Sequence, residues 1–146
     1  MTIYLVRHAK AEERAAHGGD AARELTAHGR ARFEALAVAL AGRMKVKRIL
    51  ASPLRRAAQT AEILARVSGA PIEEEEALAS GASSGRGLLD LARAAGDGAA
   101  LVGHNPELAE AVARTTGREL HVKPGTVAAV ELEAAGPRLL WIESPP

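Results

Sequence analysis

Two histidines and two arginines stand out by position rather than by number. Arg7 and His8 follow the apolar run Ile3 to Val6, and His104 follows the run Ala99 to Gly103. Arg56 comes shortly after Ser52-Pro53, which closes the run Arg48 to Ala51. Each run is short and apolar, as a strand would be, so every one of these basic groups trails the carboxyl end of an expected strand. If the strands are neighbours in one sheet, the four side chains converge on one pocket. Imidazoles and guanidiniums grouped in this way repel one another unless an anion sits between them. A tetrahedral phosphoryl group is such an anion, and the planar arginine fork matches its oxygens. The chemistry within reach is that of a phosphoryl group held among basic side chains.

The elements that must position these groups read as strands alternating with helices. After the strand Ile3 to Val6 and a polar stretch to Glu24, helical spacing begins at Thr26, with Phe33, Leu36, Leu40 and Met44 three and four residues apart. Thr26 is the expected cap. Arg48 to Ala51 is a second strand, and Ser52-Pro53 signals a helix start. That helix carries Leu54, Ala57, Ala58, Ala61, Leu64 and Ala65 on one side and stops near Gly69-Ala70-Pro71. Its free N–H groups would add to the anion field, with Arg56 at about its fourth position. Arg55 points roughly 100° away and belongs on the surface. Pro71 to Leu78 is a third strand, whose acidic run Glu73 to Glu76 marks either a sheet edge or the strand's end. Ser80 to Gly87 is a loop, followed by a helix from Leu88 to Ala95 and the strand Ala99 to Gly103. Asn105-Pro106 opens a last helix with Leu108, Ala111, Val112 and Thr115 on one face. The tail forms a hairpin, Thr126 to Leu132 with Arg138 to Ile142. This order predicts an α/β protein, a three-layer α/β/α sandwich with a mostly parallel sheet and an antiparallel edge. Sites in such sheets lie beyond the carboxyl ends of the strands, where the four basic groups fall.

Composition narrows the class. The 146 residues suit a single domain over 1–146, and 47% apolar with 25% charged residues is a globular balance. No run approaches the roughly 20 apolar residues of a membrane span, and the N-terminus enters a strand without a leader. There are no cysteines, which removes disulfides, thiolate metal sites and a cysteine nucleophile. These features point to a cytoplasmic protein without a membrane partner. A formal charge of +1 and only three aromatic residues, Tyr4, Phe33 and Trp141, argue against a nucleic-acid partner.

Four segments together resemble the histidine phosphatase superfamily, which also contains the phosphoglycerate mutases. Arg7-His8-Ala9 is similar to its Arg-His-Gly signature and Leu25-Thr-Ala-His-Gly29 to the Leu-Thr-x-x-Gly that follows. Ser52-Pro-Leu-Arg-Arg56-Ala-Ala-Gln-Thr60 is similar to its second motif, and Val102-Gly-His104 to its third. The short chain and the Arg-His-Ala-Lys opening most resemble the SixA-type phosphohistidine phosphatases. The resemblance implies that His8 is the nucleophile and forms a phosphohistidine that water hydrolyses. It also implies that Arg7, Arg56 and His104 are catalytic and hold the phosphoryl oxygens, with no metal and no cofactor. Lys10 is a weaker candidate for substrate contact. The expected partner is a phosphohistidine-bearing protein, or else a small phosphorylated molecule; the oligomeric state is not legible.

One departure bears on substrate. Larger relatives carry a general acid in a Leu-x-Glu context after the third strand, where this chain reads Leu78-Ala79-Ser80. An alkoxide leaving group needs such a proton, and a placed acid is worth ~10²–10⁴-fold. An imidazole leaving group needs it less, which favours phosphohistidine over an alcohol phosphate. The competing readings are a broad small-molecule phosphomonoesterase of the same superfamily and an inactive module that binds phospho-ligands. His104 also has a structural reading, as a helix cap. His17, His28 and His121 lack matching partners and read as surface residues. Gly81 to Gly87 lacks the Gly-Lys-Ser/Thr ending of a phosphate loop, and no Gly-x-Gly-x-x-Gly follows the first strand.

Overall fold

Ile3, Tyr4, Leu5 and Val6 are all apolar because the strand that holds them is covered on both faces. The computed structural model describes residues 1–146. Its strands are β1 (Thr2–Arg7), β2 (Arg48–Ala51), β3 (Ile72–Glu74), β4 (Ala99–Gly103), β5 (Val127–Glu133) and β6 (Gly136–Glu143). Its helices are α1 (Ala27–Leu40), α2 (Arg55–Ser68), α3 (Gly85–Ala95) and α4 (Glu107–Thr116). The strands form one sheet in the order β3-β2-β4-β1-β5-β6. The first four are parallel, and β5 and β6 add antiparallel. The expected three layers, mostly parallel sheet and antiparallel edge are all present.

Alternate side chains of a strand point to opposite faces, so each strand feeds two cores. Tyr4, Val6, Ile49, Ala51, Ala100 and Val102 face α1 and α2, meeting Phe33, Leu36, Leu40, Ala57, Ala61 and Leu64. Ile3, Leu5, Leu50, Ala99 and Leu101 face the other way, toward Leu88, Leu89 and Ala92 of α3 and Leu108, Ala111 and Val112 of α4. The acidic strand β3 lies at the sheet edge, as its charge requires, and Arg48 pairs with Glu73 at 2.7 Å across it. No helix is long and apolar enough to cross a membrane.

Several boundaries differ from the sequence reading: α1 ends at Leu40, before Met44, α4 begins at Glu107 with Pro106 as its cap, and the hairpin strands are offset by one or two residues. The helix expected from Ser52-Pro53 begins at Arg55, with Leu54 as its cap and no side-chain capping bond. Arg56 is thus its second residue rather than its fourth. α3 starts at Gly85, three residues early, because Ser84 caps it by accepting from the Gly87 N–H at 3.0 Å. Its glycine start is steric: a Cβ on Gly85 would lie 2.6 Å from the backbone nitrogen of Ala111 in α4. The third strand is shorter than Pro71 to Leu78, giving way to a 3-10 turn over Glu76–Leu78.

Candidate active site

Three adjacent strand ends carry the site. In register, Arg7 lies beside Gly103 and Ala51 beside Val102. The ladder continues one step on both sides of β4. The His8 N–H donates to the Gly103 carbonyl and the Ser52 N–H to the Val102 carbonyl, each at 3.0 Å. His8, Ser52 and His104 therefore leave the sheet side by side. The two imidazoles lie 5.2 Å apart between ring centroids.

The loop that bears His8 is held by the motifs around it. Thr60 Oγ1 accepts from the Ala9 N–H at 3.0 Å and donates to the Arg56 carbonyl at 2.8 Å. Gln59 Oε1 accepts from the Leu25 N–H at 2.8 Å, while its Nε2 donates to Glu24 at 2.9 Å. The Thr26 N–H donates to the Lys10 carbonyl at 3.0 Å. Its hydroxyl caps α1 by accepting from the Gly29 N–H at 2.9 Å. Gly29 is bare because any Cβ would overlap that same Lys10 carbonyl oxygen. Gln59-Thr60 and Leu25-Thr26-x-x-Gly29 thus clamp the loop that bears His8 against α1 and α2.

His8 Nδ1 sits 2.7 Å from the Ala9 carbonyl. A carbonyl can only accept, so Nδ1 carries the proton and Nε2 keeps its lone pair. Burial pushes the His8 pKa down to about 4. The Ala9 bond opposes this, while the charges of Arg56, Arg7 and Arg23 reinforce it. His104 is pushed lower, to about 3, first by burial and then by His8 and Arg56, with Asp20 acting the other way. Both rings are neutral at pH 7. His104 Nε2 meets Ser52 Oγ at 2.7 Å, and that oxygen also accepts from the Leu54 N–H at 3.2 Å.

Arg7 and Arg56 are tethered at their tips. Arg7 Nη1 donates to the Val122 carbonyl at 2.8 Å, a carbonyl shared with Asn105 Nδ2 at 3.0 Å. Arg56, 5% exposed, donates Nη1 to the Asp20 carbonyl at 2.9 Å and Nη2 to Asp20 Oδ2 at 3.1 Å. Arg23 donates to the other Asp20 oxygen at 2.9 Å. Its hydrogen bond is the main cause that holds the Asp20 pKa below the ordinary carboxylate value, with Arg56 adding to it. Three buried nitrogens have no hydrogen-bond partner: Arg7 Nε, Arg56 Nε and His104 Nδ1.

The structure brings together Arg7, His8, Arg56 and His104, with the charges of Arg7 and Arg56 acting on both imidazoles. Lys10 is exposed and lines a separate cleft. Arg55 is on the surface, 3.3 Å from Glu24, and His17, His28 and His121 are exposed. Sequence reasoning missed three participants. Ser52 was expected as a helix cap but holds His104. Asp20 and Arg23 lie in the polar stretch before Glu24, where only their i, i+3 spacing and their place just ahead of Leu25-Thr26 could have marked them. A fourth side chain, Glu107, is 5% exposed and accepts from the Gly81 N–H at 3.3 Å, beside Leu78-Ala79-Ser80.

Comparison with known proteins places the chain in a family and a fold. Residues 3–81 match the histidine phosphatase superfamily, branch 1. An uncharacterized protein of Picosynechococcus sp. is 39% identical over 144 residues, covering 92% of this chain and 87% of its own. The chain belongs to the histidine phosphatase superfamily. Its fold matches that of SixA from Agrobacterium tumefaciens, described as a phosphohistidine phosphatase, at a TM-score of 0.83 and 26% identity, covering 99% and 97% of the two chains. A protein histidine phosphatase SixA solved with tungstate matches at 0.83 and 25% identity, with the same coverage. A phosphoserine phosphatase from Entamoeba histolytica shares the fold at 0.71 and 16% identity, covering 98% and 96%. Membership of this superfamily and the SixA-like structure support a phosphatase, a hydrolase.

Proposed function

We propose that this chain dephosphorylates phosphohistidine on a protein, by way of a phosphoryl group carried on His8 and without a metal. One observation carries the reading: a neutral His8, locked in the Nδ1–H tautomer, stands among Arg7, Arg56 and His104, each with a buried nitrogen that has no partner. A phosphoryl group supplies the oxygens those nitrogens lack. In the first step His8 Nε2 attacks phosphorus, the bond from phosphorus to the substrate imidazole breaks, and that imidazole leaves with a proton from solvent. In the second, water attacks the phosphohistidine of His8 and releases inorganic phosphate. Arg7 and Arg56 offset the charge on the equatorial oxygens throughout, the work a divalent cation does elsewhere. A SixA of the same fold was solved in complex with tungstate, a tetrahedral oxyanion, which supports oxyanion binding by this fold.

An imidazole leaving group fits the stretch Leu78-Ala79-Ser80, which has no carboxylate of its own. The test has two parts. Incubation with a labelled phosphohistidine protein should place an acid-labile, base-stable phosphoryl group on His8. Turnover should be far faster with that protein than with phosphoglycerate or p-nitrophenyl phosphate, in the presence of a chelator. His8→Ala should abolish turnover of all three; retention of activity by this variant would overturn the mechanism. A preference for phosphoglycerate would leave the nucleophile standing and make the chain a small-molecule phosphomonoesterase.

A further inference from the structure

Beside the nucleophile loop lies a cleft of about 180 Å³ lined by Ala9, Lys10, His28, Gly29, Arg32, Lys123, Pro124 and Pro145. None of Arg7, His8, Arg56 or His104 lines it. Its charge is of one sign: two lysines and an arginine, with a histidine beside them and no carboxylate in the lining. None of these four has a carboxylate within 4.0 Å, which is true also of Arg14, Lys45, Arg86, Arg93, Arg114 and Arg118; what sets the cleft apart is that its cations share one lining. Like charges gathered without counter-charges raise the local potential and attract an anionic partner. The amino end of α1, at His28 and Gly29, adds its partial positive charge on the same side.

The cleft is tied rigidly to the catalytic histidine. Ala9 and Lys10 directly follow His8, and the α-carbons of His8 and Lys10 are at most about 7 Å apart. The Gly125 N–H donates to the His8 carbonyl at 2.9 Å, which anchors the Lys123-Pro124 rim. Thr26 anchors the α1 rim through the Lys10 carbonyl. A group seated here lies close enough to His8 for one bound protein to reach both.

We propose that this cleft is a second anion site, and that its occupant is an acidic segment of the substrate protein lying next to the phosphohistidine. The identity of the occupant rests on the phosphohistidine-protein reading above. Its chemistry follows from the lining. The phosphoryl pocket uses buried guanidiniums, whereas Lys10, His28, Arg32 and Lys123 are exposed and spread over three segments. Mobile, hydrated cations set around a floor of alanine, glycine and proline suit several carboxylates on a neighbouring surface better than one dehydrated phosphate.

The experiment compares two phosphohistidine peptides, one flanked by aspartate and glutamate and one by asparagine and glutamine, on the intact protein. At low salt the acidic flank should raise kcat/KM roughly tenfold through KM, an advantage that shrinks as ionic strength rises. In Arg32→Gln/Lys123→Gln the ratio of the two should fall to near one. Equal kcat/KM for the two peptides in the wild type, or an undiminished ratio in the variant, overturns the proposal. A second arm needs no turnover: the acidic peptide without its phosphoryl group is titrated into the ¹⁵N-labelled protein. Shifts centred on residues 9–10, 28–32 and 123–124, lost in the double variant, support the site; shifts elsewhere or none refute it. If neither phosphopeptide is hydrolysed, the function fails while this titration still judges the cleft.

Discussion

Ser52 and His104 form a side-chain pair at the site that neither residue's sequence context announces. Ser52 Oγ meets His104 Nε2 at 2.7 Å, both are almost wholly buried, and the opposite ring nitrogen has no partner. The serine thus fixes which edge of the ring is left for a phosphoryl oxygen. Ser52→Ala removes that anchor and strands a buried ring nitrogen, which costs about 1–3 kcal/mol of stability. A ring free to rotate loses its place relative to the phosphoryl group, so kcat should fall about tenfold or more. Urea titration and steady-state kinetics measure the two effects. An unchanged kcat with the stability loss alone would reduce Ser52 to a packing residue.

At the scale of elements, the clamp on the nucleophile loop depends on how closely α1 approaches Lys10. Gly29 sits where any side chain would press on the Lys10 carbonyl oxygen, the same atom that accepts from Thr26. Backbone cannot yield as a flexible side chain can, so Gly29→Ala must push α1 and the loop apart. The expected cost is about 1–3 kcal/mol in thermal or urea unfolding, with a loss of phosphatase activity larger than Ala substitution at exposed Val38 produces. The contrast shows what the sequence made legible. The strands β1, β2 and β4 could be read because burial on both faces makes them continuously apolar, and the strand-end rule then located Arg7, His8, Arg56 and His104. Thr26 was readable as a cap because its side chain acts within its own helix. Ser52 was misread for the opposite reason: its partner is 52 residues away, and local pattern carries no trace of it. The same holds for Asp20, whose bond to Arg56 spans 36 residues through an otherwise featureless polar loop.

The whole molecule buries two neutral imidazoles among guanidiniums, and that sets how its stability must respond to acid. In the unfolded chain a histidine takes up its proton near pH 6.5. In the native state His8 does so only near 4 and His104 near 3, first because burial disfavours the charged form. Between these limits the unfolded chain binds more protons than the native one, so stability falls as pH drops from about 6.5 toward 4. Above 6.5 both states hold the rings neutral and the effect vanishes. For His8 the loss across the window is on the order of 3 kcal/mol. Below it, the depressed carboxyl pKa of Asp20, held there chiefly by the Arg23 hydrogen bond, adds a further loss in the same direction. The urea midpoint should therefore decline between pH 7 and pH 5, before any carboxylate is extensively protonated. His8→Asn/His104→Asn, which cannot take up protons at these positions, should show a visibly shallower decline. Parallel pH profiles for the two proteins would mean that the imidazoles are not the groups resisting protonation. The electrostatic basis for a neutral nucleophile would fall with them.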